Sequence, residues 1–287
     1  MPTIQQDKNF TKKVVTTLTL ILSIYTNFKY SLGRSPSVIK ALISKDDPTD
    51  DPFYRIGFTP FTGNLLLLII FWGFTHFFQI LYVSKIYNDE ETTTSDSKVE
   101  DWSWLGFSGF NLLQSLWSVL FGHGHYILSE IVVIANFIHV LILYFSLQSY
   151  KYSVTDLSKY ILTHGTVVAL PLSWLMYVIF WNGAVIIGSN GLAFRIVCNV
   201  LIWQFLIIPM FFLVIFRDWL TGLSVAYITA AVGLGQLFTK MFALQWIFAF
   251  AISAALLFSS IAVWSGNLGR SDGAVTAAGR ETEPLIG

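Results

Sequence analysis

The chain has 287 residues, 54% of them hydrophobic and 12% charged, with 17 acidic and 17 basic residues and hence no net charge. Soluble domains carry about a quarter charged residues, so this composition excludes an ordinary soluble domain, and the lack of any basic stretch excludes a nucleic-acid partner. A single cysteine, Cys198, rules out a disulfide framework and a cysteine metal site; inside its apolar segment it reads as a small membrane-facing hydrophobe.

Residues 1–13, with Lys8, Lys12 and Lys13, form a hydrophilic tail. The apolar run that follows has no small-residue cleavage site and is expected to stay as a first span. Spans are predicted at 14–31, 63–84, 104–122, 127–147, 161–187, 193–216, 219–238 and 243–265. Each approaches the roughly 20 residues a bilayer core requires, and in lipid only helices satisfy every amide of such a run. The expected fold is therefore all-α, a polytopic bundle of about eight transmembrane helices in one domain, 14–265. Two polar loops interrupt it. One, 32–62, holds Asp46, Asp47, Asp50 and Asp51 among prolines. The other, 85–103, holds Asp89, Glu90 and Glu91 and reads as flexible.

Polar side chains at membrane depth need a partner or a purpose. In the second span Trp72, His76, Gln79 and Val83 share one face. In the third, Asn111, Ser115, Ser118 and Gly122 make a stripe, with Gln114 beside it. Asn136 and His139 are neighbours in the fourth. Glu130 points the other way from His139, because nine residues at about 100° each make half a turn. Trp174, Tyr177 and Trp181 share a face of the fifth, and Arg195, Asn199 and Trp203 one of the sixth. The plain reading of these stripes is interhelical glue, each bond worth less than about 1 kcal/mol. The sharper reading is a mid-bundle pocket with aromatic walls for a flat apolar ligand, contacted by Trp72, His76, Gln79, Gln114, Trp117 and Trp174. Glu130, His139 and Arg195 are the residues for proton or ion coupling; snorkelling to the headgroups accounts for Glu130 or Arg195 alone. The seventh span, rich in Gly and Ala, suits close helix packing.

His123-Gly124-His125 lies in the tight turn between the third and fourth spans, without an evident third ligand, and no metal is expected there. No phosphate loop, His-Glu-x-x-His or Gly-x-Ser-x-Gly motif occurs, so no enzyme activity and no cofactor are expected. With eight spans both termini share one side. That side carries ten Lys and Arg residues (8, 12, 13, 85, 98, 151, 159, 217, 270, 280) against seven on the other (29, 34, 40, 45, 55, 195, 240), which favours cytoplasmic termini and an unmodified sequon at Asn9. The tail from Gly266 is polar and expected to be disordered. Glu281 followed by Leu285-Ile286 resembles an acidic dileucine signal, which adaptor complexes read to send cargo to endosomes and the vacuole.

Three stretches carry a further likeness. Phe58-Thr59-Pro60-Phe61 leads into Phe71-Trp72-Gly73, Gln114-Ser115-Leu116-Trp117-Ser118-Val119-Leu120-Phe121 forms one helix, and Leu170-Pro171-Leu172-Ser173-Trp174 opens another. Over residues 55–185 they resemble the translocator protein / tryptophan-rich sensory protein family, with Gln114 where that family has Asn. The resemblance implies a bundle that binds porphyrin- or sterol-like molecules, with the 32–62 loop folded over a pocket lined by Trp72 and Trp117. The extra spans beyond 190 exceed that family's usual five. The whole chain also resembles an uncharacterised fungal multi-pass membrane family. A transporter, or a structural or trafficking protein without ligand, is the alternative reading; membrane lipid is the partner common to all.

Overall fold

The computed structural model describes residues 3–32, 56–88, 97–188, 191–239 and 244–281, and in 3–8, 31–32, 97–101 and 267–281 the backbone alone. Every regular element among these is helical. Helix α1 is Thr3–Asn27, running into a π-helical turn Phe28–Leu32; α2 is Leu65–Asn88, α3 Ser97–Gly122 and α4 Tyr126–Leu147. A 3-10 turn Ser149–Lys151 and two short helices, Tyr152–Thr155 and Leu157–Lys159, lead into a ten-residue π-helical stretch Tyr160–Ala169. That stretch continues as α5, Leu170–Ile187. Helices α6 (Leu192–Leu201), α7 (Gln204–Phe216), α8 (Trp219–Thr239) and α9 (Gln245–Glu281) complete the chain.

A helix exists at each of the eight predicted spans. Six segments are long and apolar enough to cross a bilayer: Leu65–Asn88, Tyr126–Leu147, Leu157–Ile187, Leu192–Phe216, Trp219–Phe238 and Gln245–Gly266. The remaining two, α1 and α3, are the more polar ones. Helix α3 places Ser103, Ser108, Asn111, Gln114, Ser115 and Ser118 inside the protein, and that inventory lowers its hydropathy. The sixth span is split at Ile202–Trp203, between α6 and α7, with Pro209 inside α7.

Two helices form the centre. The most apolar windows of Leu157–Ile187 and Trp219–Phe238 are 61% and 67% buried, against 22–28% for the other four spans. Glycine explains how α8 reaches that position. A Cβ on Gly222 would lie 2.5 Å from Ser260 Oγ, and one on Gly235 would lie 2.6 Å from Thr62 O and 2.8 Å from Asn64 N. The α3–α4 contact works the same way: a Cβ on Gly106 would meet Leu143, and one on Gly109 would meet His139 Nε2 at 2.9 Å. Without a hydrophobic force between helices in lipid, such close approach supplies the packing energy. Outside this core, large apolar side chains such as Phe74, Ile131, Val214 and Phe258 face outward, as lipid requires.

Three expectations need correction. Cys198 is 1% exposed and faces the protein interior, not the membrane; its carbonyl accepts from Gln245 Nε2 at 3.4 Å. The acidic 85–103 loop is shorter than the sequence suggests, since α2 continues to Asn88 and α3 begins at Ser97. And α9 continues as helix to Glu281, where a disordered tail was expected from Gly266. Asp46 to Asp51, Asp89 to Glu91, Leu285 and Ile286 lie outside the described residues.

Candidate functional site

Two polar centres sit at different depths of the bundle. The first assembles from the predicted stripes. Trp72 and Trp174 meet edge to face at 5.0 Å, Trp117 lies 6.3 Å from Trp174 and 6.4 Å from Trp181, and Phe121 lies 4.9 Å from Trp181. Trp174, Tyr177 and Trp181 follow one face of α5, with Tyr177 stacked on Trp181 at 6.0 Å. His76 packs on Trp72 at 4.9 Å. Its Nδ1–H donates to Gln79 Oε1 at 2.9 Å, and Gln79 Nε2 donates onward to Asn111 Oδ1 at 3.2 Å. Trp72, His76, Gln79, Trp117 and Trp174 thus belong to one cluster.

Gln114 turns away from it. Its Nε2 donates to Asn27 Oδ1 at 3.3 Å, beside Ser118 Oγ at 2.8 Å, so it ties α3 to α1. Within the cluster, Trp117 and Trp174 are 3% and 6% exposed, and neither indole N–H has a hydrogen-bond partner among the described residues. A buried unpaired donor costs about 1–3 kcal/mol. Residues 56–64 lie across the same aromatic face: Trp181 Nε1 donates to Ile56 O at 3.3 Å, and Gly63 N donates to Tyr177 Oη at 3.2 Å. A groove of about 430 Å³ between α1 and α2 is lined by Thr17, Leu20, Ile80, Val83, Ser84, Tyr87 and Asn88, none of them among the six predicted contacts.

The three candidates for ion coupling are not joined to one another by hydrogen bonds among the described residues. Glu130 Oε2 accepts from Asn182 Nδ2 at 2.7 Å on α5. His139 Nε2–H donates to Gly106 O at 3.2 Å on α3, and Asn136 Nδ2 reaches Phe110 O at 3.4 Å. Glu130 and His139 therefore serve different neighbours, as the half-turn between them predicts. Arg195 stands on the exposed side of α6. His123 is exposed and holds Val119 O at 2.7 Å; among the described residues no three His, Cys, Asp or Glu cluster as metal ligands.

The second centre escaped the sequence reading. Asp218, in the two-residue turn between α7 and α8, is fully buried. Four donors converge on its carboxylate: Tyr160 Oη at 2.8 Å, Thr221 N at 3.1 Å, Thr221 Oγ1 at 2.6 Å and His164 Nε2 at 3.0 Å. His164 Nδ1 meets Ser149 Oγ at 2.8 Å. The His164 ring stacks on Tyr160 at 5.0 Å and meets Tyr144 edge-on at 5.6 Å. Burial alone would push the Asp218 carboxyl up; the His164 ring and the bonds from His164, Thr221 and Tyr160 outweigh it and hold the group below the usual carboxylate range. Local structure explains the convergence. Asp218 caps the first turn of α8 through Thr221. In the π-helical stretch, Tyr160 and His164 sit four residues apart on one side, and π-turns often accompany function. Two signals were available: a lone acid three residues before Thr221, and a histidine in an otherwise apolar run.

Fold and composition define a multi-pass, all-helical membrane protein. Residues 195–286 match the family described as "Fungal protein of unknown function (DUF1774)". An uncharacterised protein of Schizosaccharomyces pombe is 41% identical over 75 residues, 24% of this chain and 28% of the relative. The chain thus spans little more than a quarter of the curated relative it matches. No solved structure matches. These findings agree with the resemblance to an uncharacterised fungal family. They give no support to the translocator likeness, which rests on residues 55–185, outside the family match.

Proposed function

We propose that this membrane protein binds a small, flat, hydrophobic ligand carrying a hydrogen-bond acceptor, at the aromatic junction of α2, α3 and α5. The observation that carries the reading is the pair of buried, unpartnered indole donors of Trp117 and Trp174 beside Trp72. Aromatic faces suit a planar ring system, and an acceptor on the ligand would pair an indole donor now left over. Porphyrins and sterols combine these features. No group in this junction performs bond-breaking chemistry in the reading, so binding or movement of the ligand, not its conversion, is the activity.

The test uses detergent-purified protein and two probes, protoporphyrin IX and cholesterol. Trp117→Phe and Trp174→Phe keep an aromatic face but remove the donor together with the pyrrole half of the indole. Each is expected to weaken binding of the better probe by several-fold, about 0.5–1.5 kcal/mol per lost hydrogen bond. Equal affinity in wild type and both variants removes the pocket.

The same reading takes the termini as cytoplasmic, supported by the Lys and Arg bias, and the location as vacuolar or endosomal, supported by Glu281, Leu285 and Ile286 as an adaptor-read signal. Glycan on Asn9 would reverse the orientation. Unchanged location after Leu285→Ala and Ile286→Ala would remove the signal.

A further inference from the structure

The network around Asp218 lies at one end of the bundle. That end carries the 148–159 connection, the Arg217–Asp218 turn and Trp264, which packs 6.0 Å from Trp219. Ser149 follows Gln148, an exposed residue in left-handed conformation at φ 47°. Ser149 itself is 1% exposed, and His164 and Asp218 are 0% exposed. Ser149, next in the chain to an exposed residue, thus begins a buried polar line: Ser149 hydroxyl, imidazole, carboxylate.

We propose that Ser149, His164 and Asp218 form a proton-binding site, loaded from this end of the bundle, with His164 Nδ1 as the atom that takes the proton. The hydrogen bonds suit both states of the ring. Nε2–H donates to Asp218 Oδ2 whether the imidazole is neutral or charged. Nδ1 accepts from the Ser149 hydroxyl when neutral, and Nδ1–H donates to the same oxygen when protonated, because a hydroxyl rotates between the two roles. Protonation therefore breaks no bond. It also places the cation beside the buried Asp218 carboxylate and over the face of the Tyr160 ring.

The surroundings keep the pairing specific. Among the described residues the ionisable groups touching the imidazole are Asp218 from the α7–α8 turn, Tyr160 from its own turn and Tyr144 from α4. Among the described residues the other elements packed on this stretch, namely α2, α3, α5, α8 and the two short helices, contribute no hydrogen bond or ring contact to the imidazole. Arg217, next to Asp218, is exposed. A reading of the same three side chains as a nucleophilic serine fits less well, because Ser149 is buried where an acyl substrate would have to reach it. The site lies apart from the tryptophan junction and does not depend on that junction holding a ligand.

The experiment follows hydrogen exchange at the C2 position of each histidine in the full-length protein in detergent micelles, from pH 4 to 9, read by mass spectrometry of proteolytic peptides. Wild-type His164 is expected to show a sigmoidal profile with one midpoint. Asp218→Asn is expected to lower that midpoint by about one to three pH units, the range for loss of an adjacent opposite charge, while exposed His123 keeps its own. A purely structural network predicts a flat profile for His164, or one midpoint shared by wild type and Asp218→Asn; either overturns the proposal. If Asp218→Asn does not fold, Tyr160→Phe decides. Taking one donor from the carboxylate strengthens it as a partner for the cation and raises the midpoint, and an unmoved midpoint overturns the proposal.

Discussion

The tryptophan junction and the Asp218 network differ in what they leave over. At the junction, aromatic rings pack closely yet two indole donors face no acceptor among the described residues. At Asp218 both carboxylate oxygens and both imidazole nitrogens have partners within 3.1 Å. Buried polar groups in native proteins are normally satisfied. On the proposed function the unpaired indoles await a ligand's acceptor, whereas the paired carboxylate and imidazole form a centre the fold depends on. The two regions should fail in different ways when altered.

Asp218→Ala should give the largest effect. It strips the partner from His164, Tyr160 and Thr221 at once, and breaking a buried pair of this kind costs roughly 3–5 kcal/mol. Thermal unfolding in detergent should show a collapse of the transition, and a shift within error would mean the network is incidental. Gly235→Ala comes next, at about 1–3 kcal/mol for overpacking, because the new methyl would press on the backbone of residues 62–64. It should loosen the cover over the junction without touching Asp218, visible as faster proteolysis near residue 63.

The contrast sharpens at the tryptophans. Trp117→Phe deletes an unpaired donor, which relieves about 1 kcal/mol, but it also empties the space of the larger indole in a buried site, so stability in the absence of ligand should fall by no more than about 1–2 kcal/mol. A loss well beyond that would show that the indole N–H is already bonded. Arg195→Ala, on an exposed helix side, should move stability by no more than about 0.5 kcal/mol.

What could be read beforehand follows the same division. The helices and the Trp72–His76–Gln79 and Trp174–Tyr177–Trp181 faces were legible because each is encoded within one helix at a spacing of three or four residues. Gln114 was misplaced because its partner, Asn27, lies 87 residues away, and spacing within α3 does not reveal which neighbour that side meets. Asp218 was hidden for a stronger reason. Its distant partners, Tyr160 and His164, lie 58 and 54 residues away, and Ser149 joins only through His164, so the fold alone brings them together. The break at Ile202–Trp203 was equally silent, since the apolar run continues through it.

The strip of chain from Ile56 to Asn64 is pinned at several points: Trp181 and Tyr177 hold it on one side, and Gln236 Nε2 holds Thr59 O at 2.8 Å and Thr62 O at 3.1 Å on the other. Asn64 N further donates to Ala231 O at 2.7 Å. A guest arriving at the tryptophans from this direction would have to unfasten these clasps one after another. Residence time would then be set by how often the strip lifts, and loosening Gln236 would hasten arrival and departure alike while leaving the equilibrium nearly where it was.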